Sequence, residues 1–186
     1  MTEKRLVAVL TGSLRRESFS EKMGRELRRL APDHLTLSDV LIGDLPFYNQ
    51  DLETASPPDS WVRFRDEIKS CDAVLFVTPE YNRSIPAALK NAVDVGSRPY
   101  GDGVWAKPAA IASLSMGGLG GFAANHHLRQ SVGALGCRIM PTPEFYVGII
   151  QNLIDEQGRF NVEQTQQLAR TFMDGFARWI EAVRLL

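Results

Sequence analysis

Hydrophobic and polar residues alternate in blocks along the chain, and the spacing within each block predicts a secondary structure. Short, nearly continuous apolar runs are typical of strands that are covered on both faces. Such runs predict five strands, at Arg5–Leu10, Leu35–Ser38, Ala73–Thr78, Ala109–Ser115 and Arg138–Met140. Apolar residues that recur every three or four positions predict amphipathic helices. Five helices are predicted in this way, at Ser18–Leu30, Ser60–Ser70, Ile85–Val95, Phe122–Leu135 and Val162–Leu186.

Helical spacing also predicts which side chains face the core. In the first helix the inward positions are Phe19, Met23, Leu27 and Leu30. Charged residues of that helix, including Glu26, are expected mostly on the opposite face. In the last helix the inward positions are predicted to be Leu168, Phe172, Phe176, Trp179 and Val183.

The regular alternation of strand and helix predicts the topology. Parallel strands need crossover helices, and those helices cover both faces of the sheet. We therefore expect a single α/β domain over residues 1–186, a three-layer, doubly wound sheet with the flavodoxin-like order 2-1-3-4-5. Ligands of such sheets bind beyond the carboxyl ends of the strands, at the topological switch point between strands 1 and 3. The loops that meet there are Thr11–Ser20, Pro79–Ser84 and Ser115–Gly121.

Composition and charge narrow the class of protein. The 186 residues carry a formal net charge of -1, which gives no general attraction to nucleic acid or anionic membranes. The N-terminal apolar run is too short for a signal peptide, and no stretch is long enough to span a membrane. We expect a cytoplasmic protein without nucleic-acid or membrane partners. Cys71 and Cys137 form no C-x-x-C motif, so we expect two buried thiols and no metal centre.

The loop after the first strand supports two interpretations. Ser18 and Glu21 have the spacing of a capping box, which needs no ligand. However, Ser13, Arg15 and Arg16 precede the cap, and a helix N-terminus surrounded by hydroxyls and guanidinium groups suits a phosphate. The lysine of a P-loop and the dinucleotide fingerprint are both missing after this strand. On these residues alone, a capped turn and an anion site remain equally open.

The other two loops suggest a flat ligand. The sequence Pro-Glu-Tyr-Asn at 79–82 places an aromatic ring, a carboxylate and an amide at a strand end. The glycine-rich sequence at 115–121 lets the backbone approach a ligand closely, because glycine has no side chain. Together, a phosphate loop, an aromatic wall and a glycine floor predict a pocket for a phosphorylated planar cofactor.

With these motifs in place, the chain resembles the NAD(P)H-dependent FMN reductase family of flavodoxin-like proteins, which includes bacterial chromate and quinone reductases. The resemblance extends over nearly the whole chain. It depends on the motifs at Gly12–Ser20, Leu45–Asn49, Pro79–Pro86, Leu89–Ala92, Lys107–Pro108 and Ser115–Gly121.

The resemblance implies a set of FMN-binding residues. Those implied for the FMN phosphate and its surroundings are Ser13, Arg15, Ser18, Phe19 and Ser20. Those implied for the flavin ring are Pro79, Glu80, Tyr81 and Asn82, with Ser115, Gly117 and Gly118 on its pyrimidine side. The chain departs from the family pattern at Ser20, where Asn is usual, and at Ala123 and His126, where chromate-reducing members often carry Arg and Tyr.

The resemblance also implies a reaction. It is hydride transfer from NADPH or NADH to flavin N5, followed by reduction of a quinone or a similar small acceptor in a ping-pong cycle. Chromate, azo compounds and free flavin are further acceptors of this family. No side chain is expected to act as a general acid or base, and no metal is expected. Family members are commonly homo-oligomers, dimers or tetramers that use the third helix.

Two other functions stay open at this point. A flavodoxin-type carrier would exchange single electrons with a protein partner, but such carriers are usually strongly acidic. A fold relative could also bind a phosphate ligand other than a flavin. The preference between NADH and NADPH is not decided by the sequence.

Overall fold

The computed structural model describes residues 3–183 and contains one parallel sheet with helices on both faces. Its strands are β1 (Arg5–Thr11), β2 (Leu35–Asp39), β3 (Ala73–Pro79), β4 (Pro108–Leu114), β5 (Arg138–Ile139) and β6 (Phe145–Val147). Its α-helices are α1 (Phe19–Leu30), α2 (Asp59–Ser70), α3 (Ala87–Gly96), α4 (Phe122–Gly133) and α5 (Glu163–Val183). The bounds differ from the predicted ones by one or two residues, and residues 184–186 of the last predicted helix lie outside the described range.

The strands are paired in the order β2-β1-β3-β4-β5, which confirms the predicted flavodoxin-like topology. The prediction of one fifth strand was incomplete. Two short strands share that position, because β5 pairs with the start of β4 and β6 pairs with its end. Pro141 and Pro143 lie between them, and proline has no N–H to donate to a ladder.

The hydrophobic core has two parts, one on each face of the sheet. Alternate residues of β1 face opposite sides, so Val7 and Val9 belong to one cluster and Ala8 and Leu10 to the other. The first cluster is completed by α1 and α5, and the second by α2, α3 and α4. Burial on both faces explains why the central strands are apolar at nearly every position.

Two residues do not lie on the helix face that was predicted for them. Glu26 is 2% exposed rather than outward, and its carboxylate accepts hydrogen bonds from the Arg29 side chain and the N–H of Phe160. Leu168 is 55% exposed rather than inward. It lines a cavity between α5 and β6.

The two cysteines are free and buried, as predicted. Burial raises the pKa of the Cys137 thiol to about 12, and it also raises the pKa of Cys71. None of the helices within residues 3–183 is both long and apolar enough to cross a membrane.

Candidate functional site

The three loops predicted to bind a ligand converge on one cleft. They follow β1, β3 and β4, which are neighbours in the centre of the sheet. The cleft has a volume of about 380 Å³. Ten residues expected from the sequence line it: Ser13, Arg15, Ser18, Phe19, Ser20, Pro79, Glu80, Tyr81, Ser115 and Gly117. Leu114 and Met116 also line the cleft, and neither was among the predicted site residues, although Met116 belongs to the predicted third loop.

Asn82 and Gly118 are the two expected residues that do not line the cleft. Asn82 lies in an exposed turn and has a positive φ of 50°. Gly118 follows Gly117 in the third loop and is exposed.

The first loop positions Ser18 as the N-cap of α1. The Oγ of Ser18 accepts a 3.1 Å hydrogen bond from the N–H of Glu21, as the capping box predicted. Glu21 does not reach back to the N–H of Ser18, because its carboxylate accepts the N–H of Glu17 and pairs with Arg25 instead. The N–H groups at the start of a helix have no partner within the helix. Since Phe19 and Ser20 line the cleft, this helix end is available to an anion.

Two exposed guanidinium groups lie beside this helix end. Arg15 and Arg16 are exposed, and neither forms an ion pair with any residue in the range 3–183. Arg25, in contrast, pairs with Glu17 at 3.3 Å and with Glu21 at 2.7 Å. Uncompensated positive charge therefore lies in the first loop rather than along the helix.

The second loop is a tight turn that presents Tyr81. The backbones of Tyr81 and Ser84 exchange two hydrogen bonds of 3.0 Å. Asn82 and Arg83 between them both have positive φ, as a type I′ turn requires. The Tyr81 hydroxyl lies 3.1 Å from the Oγ of Ser13, which ties this turn to the first loop.

The Glu80 carboxylate is hydrogen-bonded to the start of a helix. Its Oε2 accepts hydrogen bonds from the N–H groups of Ala123 at 2.9 Å and Ala124 at 3.2 Å, at the start of α4. Its other oxygen lies 3.7 Å from the Arg83 guanidinium. The carboxylate therefore caps α4 and holds the second loop against it, and no motif in the sequence predicted this contact.

The glycines of the third loop differ in the space available around them for a side chain. A side chain at Gly120 would place its Cβ 2.8 Å from the backbone nitrogen of Val147, and Gly120 has a φ of +60°. A Cβ at Gly117 would meet only the Oγ of Ser115 at 4.0 Å, and a Cβ at Gly118 would meet nothing within 4 Å. The protein itself requires glycine at 120, whereas the space above 117 and 118 is free for a ligand.

A buried polar network supports this loop from below. The Oγ of Ser113 donates to the carbonyl of Gly120 at 2.8 Å, and the amide of Asn125 donates to Ser113 at 3.2 Å. Arg129 in turn donates to the side-chain oxygen of Asn125 at 2.9 Å. Ser113 and Asn125 are fully buried, so their hydrogen bonds fix the loop firmly.

The two histidines of α4 have separate partners. His126 packs against Phe122 and lies 3.3 Å from the hydroxyl of Tyr146, whereas His127 lies 3.1 Å from the Oγ of Ser84. Burial and the neighbouring Glu144 raise the pKa of Tyr146 to about 12. Within residues 3–183, no three His, Cys, Asp or Glu side chains are grouped so that they could hold a metal ion.

A doubly wound parallel sheet with a cleft at the carboxyl edge of its central strands is the architecture of a nucleotide-binding α/β protein. The model of the NADPH-dependent FMN reductase family matches residues 5–152, and the chain belongs to that family. The resemblance predicted from the motifs is thereby confirmed.

Individual relatives agree with this assignment. The chain is 51% identical over 185 residues to a quinone reductase from Pseudomonas putida, with 99% of each protein covered. It is 41% identical over 180 residues to a 2-hydroxy-1,4-benzoquinone reductase from a Burkholderia species, covering 96% of this chain and 98% of the relative. The solved structure of FerB, a flavoenzyme NAD(P)H:(acceptor) oxidoreductase from Paracoccus denitrificans, has a TM-score of 0.90 and 40% identity, covering 96% of this chain and 98% of FerB.

Proposed function

We propose that the protein is an FMN-dependent oxidoreductase that takes hydride from NAD(P)H and reduces quinones. The family assignment and the activities for which its relatives are named support this proposal. One juxtaposition in the structure carries it: Arg15, which precedes α1 and has no ion pair within residues 3–183, and the open surface above Gly117 both line one cleft.

The cleft residues match the two ends of an FMN molecule. The phosphate would be held by the hydroxyls of Ser13, Ser18 and Ser20 together with the Arg15 guanidinium and the free N–H groups of α1. The ring would lie along the backbone of the third loop, with Tyr81 at its edge. Ser20 is 1% exposed, and it lines the cleft where family members usually have Asn.

In this proposal the protein positions and orients the cofactor and the two substrates, and none of its side chains transfers a proton. Bound FMN supplies the group that accepts a hydride and passes it on. The sheet fixes the three loops, so the donor and then the acceptor meet the same surface in the same orientation. Met116 is 65% exposed at the cleft, which leaves an open apolar entrance for a planar acceptor.

The test is a steady-state assay with purified protein, FMN, NADPH or NADH, and benzoquinone. We expect a yellow protein, continuous consumption of NAD(P)H without any partner protein, and the parallel double-reciprocal lines of a ping-pong cycle. A protein that binds flavin but reduces quinone only when a partner protein is added would instead be a flavodoxin-type carrier. A colourless protein that takes up no FMN would contradict both functions.

We also propose that the protein works as a homo-oligomer in the cytoplasm. Phe47 is 77% exposed and lies beside Ala87 and Lys90 of α3, along a cavity of about 300 Å³. A second copy would bury this apolar side chain. Sedimentation analysis of the wild type and of Phe47→Asp tests this, because the substitution is expected to shift a dimer or tetramer towards monomer. An unchanged mass would remove Phe47 from the interface.

A further inference from the structure

A second cavity adjoins the cleft on the side of α1. It has a volume of about 600 Å³ and lies between α1 and residues 39–43, which form the end of β2 and the loop after it. We refer to it as the α1 groove. Ser13 and Arg15 line both the groove and the cleft, so the two cavities meet at the first loop. A ligand longer than FMN could therefore extend from one into the other.

The α1 groove is strongly basic. Arg15, Arg16, Arg25 and Arg28 line it, against two carboxylates, those of Glu21 and Asp39. Arg25 pairs with Glu21, and Arg28 pairs with Asp39 at 2.6 Å. The other two arginines have no ion pair within the described range, and the buried Nε of Arg28 lacks a hydrogen-bond partner there. The groove thus offers charge and donors that the protein itself leaves unused.

The groove also has an apolar wall. Leu14 and Leu41 line it and are each 58% exposed, whereas Val40 and Ile42 behind them are buried. Exposed leucines next to unpaired guanidinium groups suit a ligand that is apolar and flat at one end and anionic at the other. A phosphorylated nucleoside has this combination.

We propose that the α1 groove binds the adenosine half of NADPH and that Arg16 binds its 2′-phosphate. The inference rests on the proposed function, because it gives a binding site to the adenosine half of NADPH, the molecule whose hydride is used in the cleft. Arg15 is shared with the cleft and is already assigned to the FMN phosphate. Arg16 lines only the groove, so its guanidinium is the one left for a further phosphate. It also follows that NADPH is preferred over NADH, since only NADPH carries this group.

Binding of adenosine fragments tests the proposal without catalysis. Calorimetry on the FMN-loaded protein would compare 2′,5′-ADP with ADP for the wild type, Arg16→Gln and Arg170→Gln. Arg170 is an exposed arginine of α5 outside both cavities, so its variant controls for a general loss of charge. We expect Arg16→Gln to weaken 2′,5′-ADP about tenfold, as for one charge-assisted contact, with ADP unchanged. The ratio of kcat/KM for NADPH to that for NADH should fall by the same factor.

Three results would overturn the proposal. The wild type would fail to bind 2′,5′-ADP, or the wild type and Arg16→Gln would bind 2′,5′-ADP with equal affinity, or Arg16→Gln would lose equal affinity for 2′,5′-ADP and for ADP. The last result would place Arg16 at a phosphate shared by both fragments. Quinone reduction is measured on the same samples with NADPH and with NADH. If either donor drives it, the proposed function stands even when the groove assignment fails, and if neither does, the proposed function itself is contradicted.

Discussion

Glu80 and Ala123 are joined by a 2.9 Å hydrogen bond from the backbone N–H of Ala123 to the carboxylate of Glu80. The residues are far apart in the sequence but lie at the ends of neighbouring elements, β3 and α4. A carboxylate at a helix N-terminus satisfies free N–H groups and interacts favourably with the helix dipole. Because Glu80 precedes Tyr81, the same contact fixes the turn that forms one wall of the cleft.

Replacing Glu80 with Ala should therefore lower both stability and cofactor affinity. The loss of the cap is expected to reduce the free energy of unfolding by about 1–2 kcal/mol. Glu80→Gln keeps an oxygen acceptor, so its loss should be smaller. Denaturant unfolding and FMN titration measure the two effects. Glu156→Gln, which neutralises an exposed carboxylate outside the cleft, should match the wild type. Equal stability of Glu80→Ala and wild type would show that the cap contributes nothing.

Arg15→Ala should weaken FMN binding without affecting the fold. The guanidinium is exposed and has no ion pair within the described range, so its removal breaks no salt bridge there. A charge-assisted bond to phosphate contributes about 1.5–3 kcal/mol, and we expect the FMN affinity to fall by this amount. Fluorescence titration of the apoprotein measures it, with Arg170→Ala as control. Undiminished affinity would remove Arg15 from the site.

The open and closed parts of the third loop should respond differently to side chains. Gly117→Val adds its methyl groups to free space in the cleft, so we expect the fold to persist while FMN affinity falls at least about tenfold, or about 1.4 kcal/mol. Gly120→Ala forces a Cβ against the backbone of Val147 at a positive φ, and it should cost about 1–3 kcal/mol of stability. Thermal unfolding and FMN titration of both variants separate these effects. A destabilised Gly117→Val that still bound FMN normally would contradict the assignment.

Alkaline pH should destabilise the protein through Cys137. Burial raises the pKa of this thiol from its ordinary 9.0 to about 12. Between these values the unfolded chain loses a proton that the folded protein keeps, so the free energy of unfolding falls as pH rises. Cys137→Ala should show a shallower decline over this range. Thiolate absorbance of Cys71→Ala reports Cys137 alone, and ionisation near the ordinary value would refute the prediction.

The sequence was sufficient to predict the sheet and the position of the cleft. The central strands are buried on both faces and so leave continuous apolar runs, and parallel strands bring their carboxyl ends to one edge. Ser18 was correctly assigned as the cap of α1, because its hydroxyl acts on a residue three positions away. A contact between residues so close in the chain can be predicted directly from the sequence.

Contacts between distant segments could not be predicted in the same way. Glu26 was expected to face outward because it is charged, and the N–H of Phe160 that it accepts lies in a distant segment. The N–H groups that Glu80 caps belong to alanines, whose side chains give no indication of the contact. β6 has three residues and follows two prolines, which is too little pattern to predict a strand.

The contact between the third loop and the segment after β6 is made of backbone on both sides. A Cβ at Gly148 would lie 2.5 Å from the carbonyl oxygen of Gly118. The third loop also packs closely on the end of β4, because a Cβ at Gly121 would lie 2.8 Å from the carbonyl oxygen of Leu114. Met116, Leu119 and Ile149 in the same segments are 65%, 62% and 46% exposed. In a mutagenesis library aimed at new electron acceptors, every active clone would therefore retain glycine at 120, 121 and 148. The substitutions found in active clones would lie at 116, 119 and 149.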